Sequence, residues 1–265
     1  MPSVIHPTAI VSPKAELGND VIIGPYAIVE DDTVVGDGTA VGAHAIVHRF
    51  STLGKHCTVY PFAAVGGVPQ DLKFKGEKTT LEVGDRCTIR EYVTLNRGTL
   101  DSEKTIIGSD CLFMANAHVG HDSRIGNRVI LANSVALGGH VILGDWVIIG
   151  GLTPVHQFCK LGDHAMVGGG FRVVKDVPPY VLAGQEPLVF EGLNSVGLRR
   201  RGITREAMDE LAKAFELLYR SNLNVSQAVA RIKEELSSIP EIQNLLGFIA
   251  SSKRGIIPGR GRLRS

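Results

Sequence analysis

The stretch LGNDVIIGPYAIVEDDTVVGDGTAVGAHAIV, residues 17–47, places Leu17, Ile23, Val29, Val35, Val41 and Val47 six positions apart. The same frame starts at Ile5 and Val11 and runs on through Leu53, Val59 and Val65. It breaks at Asp71 and Glu77, returns at Val83, Ile89 and Leu95, breaks at Asp101, and holds from Ile107 to Val173. Of these 29 positions 26 are apolar, and 15 of the 26 are followed directly by Gly. Neither the helical period of about 3.6 nor the strand period of about 2 produces that pattern. A β-solenoid does: short strands point an aliphatic side chain inward every sixth residue, and the residue after it turns a corner that suits Gly. Three hexads close one triangular coil of eighteen residues, so positions i and i+18 become vertical neighbours about 4.8 Å apart. Nine to ten coils are expected.

The two breaks, residues 66–82 and 97–106, lack the aliphatic marker and read as loops leaving the prism. The pattern ends after Val173 at Asp176-Val-Pro-Pro-Tyr180, where Pro178 and Pro179 mark the expected edge of the prism. From about residue 193 the texture is helical. Thr204 is a candidate N-cap for a stripe of Met208, Leu211, Phe215 and Leu218; Ser226 opens a second segment with Val229 and Ile232, and a third follows Pro240. The expected organisation is a solenoid domain over 1–185 and a small C-terminal α-helical domain over 186–265, its basic last few residues flexible.

Composition narrows the function classes. The 28 basic and 27 acidic residues leave a formal charge of +1, which argues against a nucleic-acid or anionic-membrane coat. Cys57, Cys87, Cys111 and Cys159 form no CxxC pair and read as reduced thiols. The start has no basic segment leading into an apolar one, and no run approaches the ~18 apolar residues of a membrane span. A cytoplasmic protein with no membrane span and no nucleic-acid partner is expected.

Chemistry gathers in Asn116-Ala-His118-Val-Gly-His121-Asp122, Gly138-Gly139-His140 and Val155-His156-Gln157. His121, Gly139 and Gln157 lie eighteen apart and therefore in one column, and His140 stands one rung above Asp122. An imidazole is suited to take a proton from a hydroxyl at neutral pH. A Gly139 N–H with no side chain in front of it is suited to stabilise the oxyanion of an acyl transfer. No Ser or Cys nucleophile with a plausible partner accompanies them, so direct transfer is the expected chemistry.

Those histidine motifs, together with Gln70-Asp71-Leu72-Lys73, Val155-His-Gln-Phe-Cys159, Asp176-Val-Pro-Pro-Tyr180 and Gly197-Leu-Arg-Arg-Arg-Gly202, resemble the UDP-N-acetylglucosamine O-acyltransferase family over nearly the whole chain. The resemblance implies a left-handed parallel β-helix of hexapeptide repeats. It also implies a homotrimer with its site between neighbouring subunits, and transfer of a 3-hydroxyacyl chain from acyl carrier protein to UDP-N-acetylglucosamine at the start of lipid A synthesis. Carried over by position, His121 would be the general base, Asp122 its orienting carboxylate and Gly139 the oxyanion donor. His118, His140 and His156 would line the sugar and acyl pockets, and Asp71 and Lys73 would reach substrate from their loop. Gln157, Asn194, Arg200 and Arg201 would hold the nucleotide, the guanidinium forks matching a diphosphate. Gly169 would leave room for a long acyl chain. No metal and no separate cofactor is implied, since phosphopantetheine arrives on the carrier. Two positions depart from the family pattern, Val196 where an acidic residue is common and Asn96 where some members carry His. They keep open a 3-amino sugar and hence an amide product. Hexapeptide solenoids also carry trimeric zinc hydratases, for which His118, His121 and His140 would be the ligands. A non-catalytic scaffold predicts a smooth prism without clustered histidines, and a CoA-dependent acetyltransferase needs only a short acyl pocket.

Overall fold

A strand of two or three residues cannot bury its aliphatic side chain alone, so the hexads become stable only by stacking. In the computed structural model, which describes residues 3–260, they stack as three parallel sheets of a left-handed β-helix. On the first face Ile5 pairs with Ile23, and Ile23 with Val41. Val11 pairs with Val29 on the second face and Leu17 with Val35 on the third. The inward column is almost completely sequestered, with Ile23, Leu53, Ile89, Phe113, Leu131 and Ile149 at most 1% exposed. Burial of such side chains is the main stabilising term, about 1.5–3 kcal/mol each.

The glycines do not play the part expected of them. Gly24, Gly36 and Gly42, which follow the aliphatic residue, are not left-handed; the positive φ falls two residues later, on Tyr26 (57°) or His44 (57°). Glycine is needed at the first corner position because the coils approach closely there. A Cβ on Gly36 would lie 2.6 Å from the Gly54 carbonyl carbon, and one on Gly42 2.8 Å from the Val59 carbonyl oxygen.

Both loops leave at the same corner, between the second and third faces, and both preserve the frame. Val59 pairs with Ile89, thirty residues on, and Ile89 with Phe113, twenty-four on. The first loop therefore adds twelve residues to its coil and the second adds six, both multiples of the repeat. The far end departs from expectation. Val177 and Ala183 sit sixteen residues above Leu161 and Val167 rather than eighteen. The two residues are lost between Val173, still eighteen above Val155, and Val177. Pro178 and Pro179 sit in the next corner, which keeps its full length and does not end the prism, and Val181–Gly184 extends the first face before turning back into the antiparallel strand Val189–Leu193. The turn of that hairpin contains the 185/186 boundary.

Among the described residues four helices follow: α1 (Ser195–Arg200), α2 (Arg205–Tyr219), α3 (Val225–Glu235) and α4 (Pro240–Ser251). Thr204 caps α2 by accepting the Ala207 N–H. Asn224, not Ser226, caps α3, through a reciprocal box with Gln227. The helices are fixed to the last coil by Phe190 stacked on Tyr219 at 4.3 Å and by Asn244, whose Nδ2 donates to both Asp163 and the Tyr180 hydroxyl at 2.8 Å. The segment after α4 pairs back at Ile256 and Gly259, and the basic end from residue 261 lies outside the described residues. All four cysteines are buried and unpaired. No helix among the described residues is long and apolar enough to cross a membrane.

Candidate active site

The corner that carries both loops also carries His121, Asp122, Gly139, His140, His156 and Gln157 on the coils that follow. Val119 and Ile125 fill the core on either side of it, and Asp122 turns the corner at φ 59°. Its carboxylate, with a side chain that is 0% exposed, accepts four hydrogen bonds. Oδ1 takes the Thr99 N–H at 2.9 Å and the Ser102 hydroxyl at 2.6 Å, while Oδ2 takes the Thr99 hydroxyl at 2.7 Å and His121 Nδ1 at 2.7 Å. Burial alone would push this carboxyl up, but the bonds from Ser102, His121 and Thr99 together outweigh it and lower its pKa to about 2.

An ionised Asp122 fixes the tautomer of His121. Nδ1 must carry the proton that it donates, so Nε2 presents a lone pair. That ring lies against Gly139: a Cβ there would stand 2.6 Å from His121 Nε2 and Cε1. Gly139 is buried, and its N–H donates to no acceptor among the described residues. The N–H at the same corner position of other coils, as at Asp31 and Ala43, also finds no acceptor among the described residues. Gly139 differs in being buried and set against a base. His140 meets His121 edge-on at 5.2 Å and stacks on Phe158 at 4.5 Å, with Nε2 3.7 Å from Asp122. His118, on the outer side of the second face, bonds Thr94 at 2.7 Å, and burial followed by repulsion from His121 lowers its pKa, which keeps it neutral. His156 and Gln157 are exposed on the coil above, the His156 Nδ1 lying 3.0 Å from the Gln157 carbonyl oxygen.

The first loop joins this corner. Asp71 accepts the Lys73 N–H at 2.9 Å, and both residues line a cleft of about 210 Å³ with Thr99 and Asp101. The Lys73 ammonium is exposed and has no ion pair among the described residues. Thr99 and Ser102, which hold Asp122, were not singled out by the sequence reading. Column arithmetic reaches only their neighbour: the second loop lengthens its coil to twenty-four residues and places Gly98 beneath Asp122.

The remaining candidates lie elsewhere on the chain. Gly169 sits exposed at the corner between the first and second faces, stacked over Gly151. Asn194, Arg200 and Arg201 line a cavity of about 420 Å³ with Ile148, Met166 and Leu182 on the outside of the first face, where exposed Val196 also stands. The first face is the side opposite the histidine corner. The Asn194 side chain is committed at both ends: it caps α1 by accepting the Gly197 N–H and donates to the His164 carbonyl at 3.0 Å. The Arg201 guanidinium lies 4.9 Å over the Trp146 ring. Asn96 is buried beneath the first loop, where its Nδ2 donates to the Val68 carbonyl at 2.9 Å and its Oδ1 has no partner. One chain therefore gathers the histidines, Asp122, Gly139 and the loop pair, but not the arginines.

Comparison with known proteins identifies the family and the fold. A family model described as Udp N-acetylglucosamine O-acyltransferase, domain 2, matches residues 176–257, and one for bacterial transferase hexapeptide, six repeats, matches residues 104–139. The acyl-(acyl-carrier-protein)-UDP-N-acetylglucosamine O-acyltransferase of Thiobacillus denitrificans is 46% identical over 96% of this chain and 99% of its own length. The enzyme of the same name from Ectopseudomonas mendocina is 48% identical over the same shares. The solved UDP-N-acetylglucosamine acyltransferase of Bacteroides fragilis superimposes with a TM-score of 0.94 at 41% identity, covering 96% of this chain and 100% of the other. On this sequence and fold evidence, the chain belongs to the UDP-N-acetylglucosamine O-acyltransferase family.

Proposed function

We propose that this enzyme transfers a 3-hydroxyacyl chain from acyl carrier protein to the 3-hydroxyl of UDP-N-acetylglucosamine, the opening step of lipid A synthesis, in the cytoplasm and as a homotrimer. The observation that carries this reading is the Asp122–His121 pair set against the unpaired Gly139 N–H. Nε2 of His121 takes the proton of the sugar hydroxyl as its oxygen attacks the thioester carbonyl. The Gly139 N–H stabilises the resulting oxyanion, and an interaction of this kind supplies about 2.7–4 kcal/mol in comparable sites. Collapse breaks the carbon–sulfur bond, and the imidazolium returns its proton to the departing phosphopantetheine thiolate. Asp122 stays ionised throughout and steadies that imidazolium.

His121, Asp122 and His140 place donor atoms within 4.8 Å of one another, as a metal site also would. Four hydrogen bonds already occupy the lone pairs of Asp122, which favours an orienting carboxylate over a metal ligand. Gln157, His118, His140 and His156 then line the acceptor and acyl pockets, with Asp71 and Lys73 closing from the loop. Asn194, Arg200 and Arg201 meet this corner only when supplied by a second copy, which supports the subunit-boundary site. In that arrangement Arg200 is the free cation for the diphosphate, Asn194 holds α1 in place, and Gly169 leaves space along the acyl path.

The test is a mass-spectrometric product assay with 3-hydroxyacyl carrier proteins of several chain lengths, offered UDP-N-acetylglucosamine and its 3-amino analogue. An ester of the first sugar nucleotide is expected. Exclusive formation of an amide with the second would reassign the acceptor, and transfer from acetyl-CoA alone would reject the donor.

A further inference from the structure

Arg97 opens the second loop and is only 5% exposed, yet its Nε has no hydrogen-bond partner and its guanidinium forms no ion pair among the described residues. It lies between two rings, 5.6 Å from the centroid of Phe50 and 5.4 Å from that of Phe74. Phe50 also takes Arg49 at 5.0 Å and Lys78 at 5.2 Å, so three cations surround one ring. The carboxylate facing them is Glu30, which is engaged by His48 Nδ1 at 3.4 Å and by the Arg49 N–H at 3.0 Å. Burial and then repulsion from Arg49 weaken the hold of Arg97 on its proton. A sequestered guanidinium beside two like charges is costly unless an anion completes it.

The cluster lies on the histidine corner. The Arg97 backbone stands one coil beneath His121, since Leu95 pairs with Val119. The Phe50 ring that its guanidinium reaches belongs to a coil three before His121, since Leu53 pairs with Val83, Val83 with Ile107 and Ile107 with Ile125. At about 4.8 Å per rung that is ~14 Å, comparable to an extended pantetheine arm. Arg49 and Lys78 are exposed, so the cluster can be reached from outside. Arg97 is also only two residues from Thr99, which holds Asp122 through its N–H and its hydroxyl. An anion seated on Arg97 would steady the segment that positions the base.

We propose that Arg97, Arg49 and Lys78, grouped around Phe50, form an anion subsite that takes the phosphate of the acyl donor's phosphopantetheine arm. The proposal rests on the carrier-dependent transfer described above. The alternative source of the same chemistry, the diphosphate of the sugar nucleotide, is separated from it by the experiment.

Steady-state kinetics would compare 3-hydroxyacyl phosphopantetheine with its dephosphorylated counterpart, in the wild-type enzyme, in an Arg49→Ala, Lys78→Ala double variant and in Arg97→Lys. The phosphorylated donor is expected to have a KM about tenfold lower in the wild type, the effect of one charge-assisted contact. That advantage should collapse in the double variant while the KM for UDP-N-acetylglucosamine stays unchanged. Inorganic phosphate should compete with the phosphorylated donor and not with the dephosphorylated one. Equal KM values for the two donors in the wild type would overturn the subsite, as would a double variant whose defect appeared only in the sugar-nucleotide KM. Absence of product even from the acyl carrier protein would overturn the transfer reading and this proposal with it, a result distinct from the other two.

Discussion

Asp122 is a carboxylate whose oxygens are fully used, and its neighbours set what it does. Its pKa of about 2 lies below the ~3.9 of an unfolded aspartate, so its contribution to stability is complete above about pH 4 and is lost as pH falls through about 2. Thr99→Val removes one of the four bonds and should raise the folded-state value. The variant should therefore be less stable than the wild type at neutral pH, by about 1–3 kcal/mol, and the gap should narrow as denaturation is followed to ~pH 3. A gap independent of pH would assign Thr99 a packing role only. Gly139→Ala tests the other half of the pair. Its methyl would stand 2.6 Å from the His121 ring, which must move. Turnover should fall about 100-fold or more with the melting temperature little changed, because a displaced base loses the 10²–10⁴ that general-base catalysis contributes. His121, Asp122 and Gly139 were legible in the sequence because they sit on an unbroken stretch of the six-residue frame. Thr99 and Ser102 were not, because they lie in a segment where the frame supplies no register until the loop's length is known.

At the scale of elements, the hexad marks inward positions and says little about what happens between coils. It gave the three faces, the core column and both loops, since 26 of 29 positions carry the aliphatic residue. It missed the sixteen-residue last coil, where the corner between Val173 and Val177 is two residues short and the sheet continues past Pro178 and Pro179. It also attributed the corner glycines to backbone conformation when the constraint is close approach of the next coil. The frame's logic yields a direct test of the first loop. Removing residues 67–78 would leave Val65-Gly66-Thr79-Thr80-Leu81-Glu82-Val83, a regular hexad with buried Leu81 at a second inward position. Circular dichroism and thermal melting of that variant should show an intact, cooperatively unfolding solenoid. Its acyl transfer should be lost, because Asp71 and Lys73 leave with the segment. Retained turnover would place substrate contact elsewhere, whereas an unfolded product would show that the loop closes the core as well as the cleft.

At the scale of the whole molecule, the decisive feature is that one chain displays the pair proposed for catalysis and the arginines proposed for the nucleotide on opposite sides of a prism. A rigid solenoid cannot bend to bring the outside of the first face round to the corner between the second and third, because every coil is hydrogen-bonded to the next. The two sets act together only if neighbouring copies in a closed ring present complementary sides, each site drawing its base from one subunit and its arginines from the next. That geometry makes a quantitative forecast for mixed assemblies. His121→Ala and Arg200→Ala should each be poorly active alone, since every site in either homo-oligomer lacks one component. Co-expressed in equal amounts, a chain with an intact base will lie beside one with an intact arginine in about one quarter of the sites, if subunits assort at random. Activity should therefore recover to roughly a quarter of wild type per site in the purified mixture. Mixing the two proteins after assembly should restore little until the subunits are dissociated and reassembled. A co-expressed mixture no more active than the average of its parents would show that each chain is catalytically self-contained, and Arg200 would then have to act from its own first face.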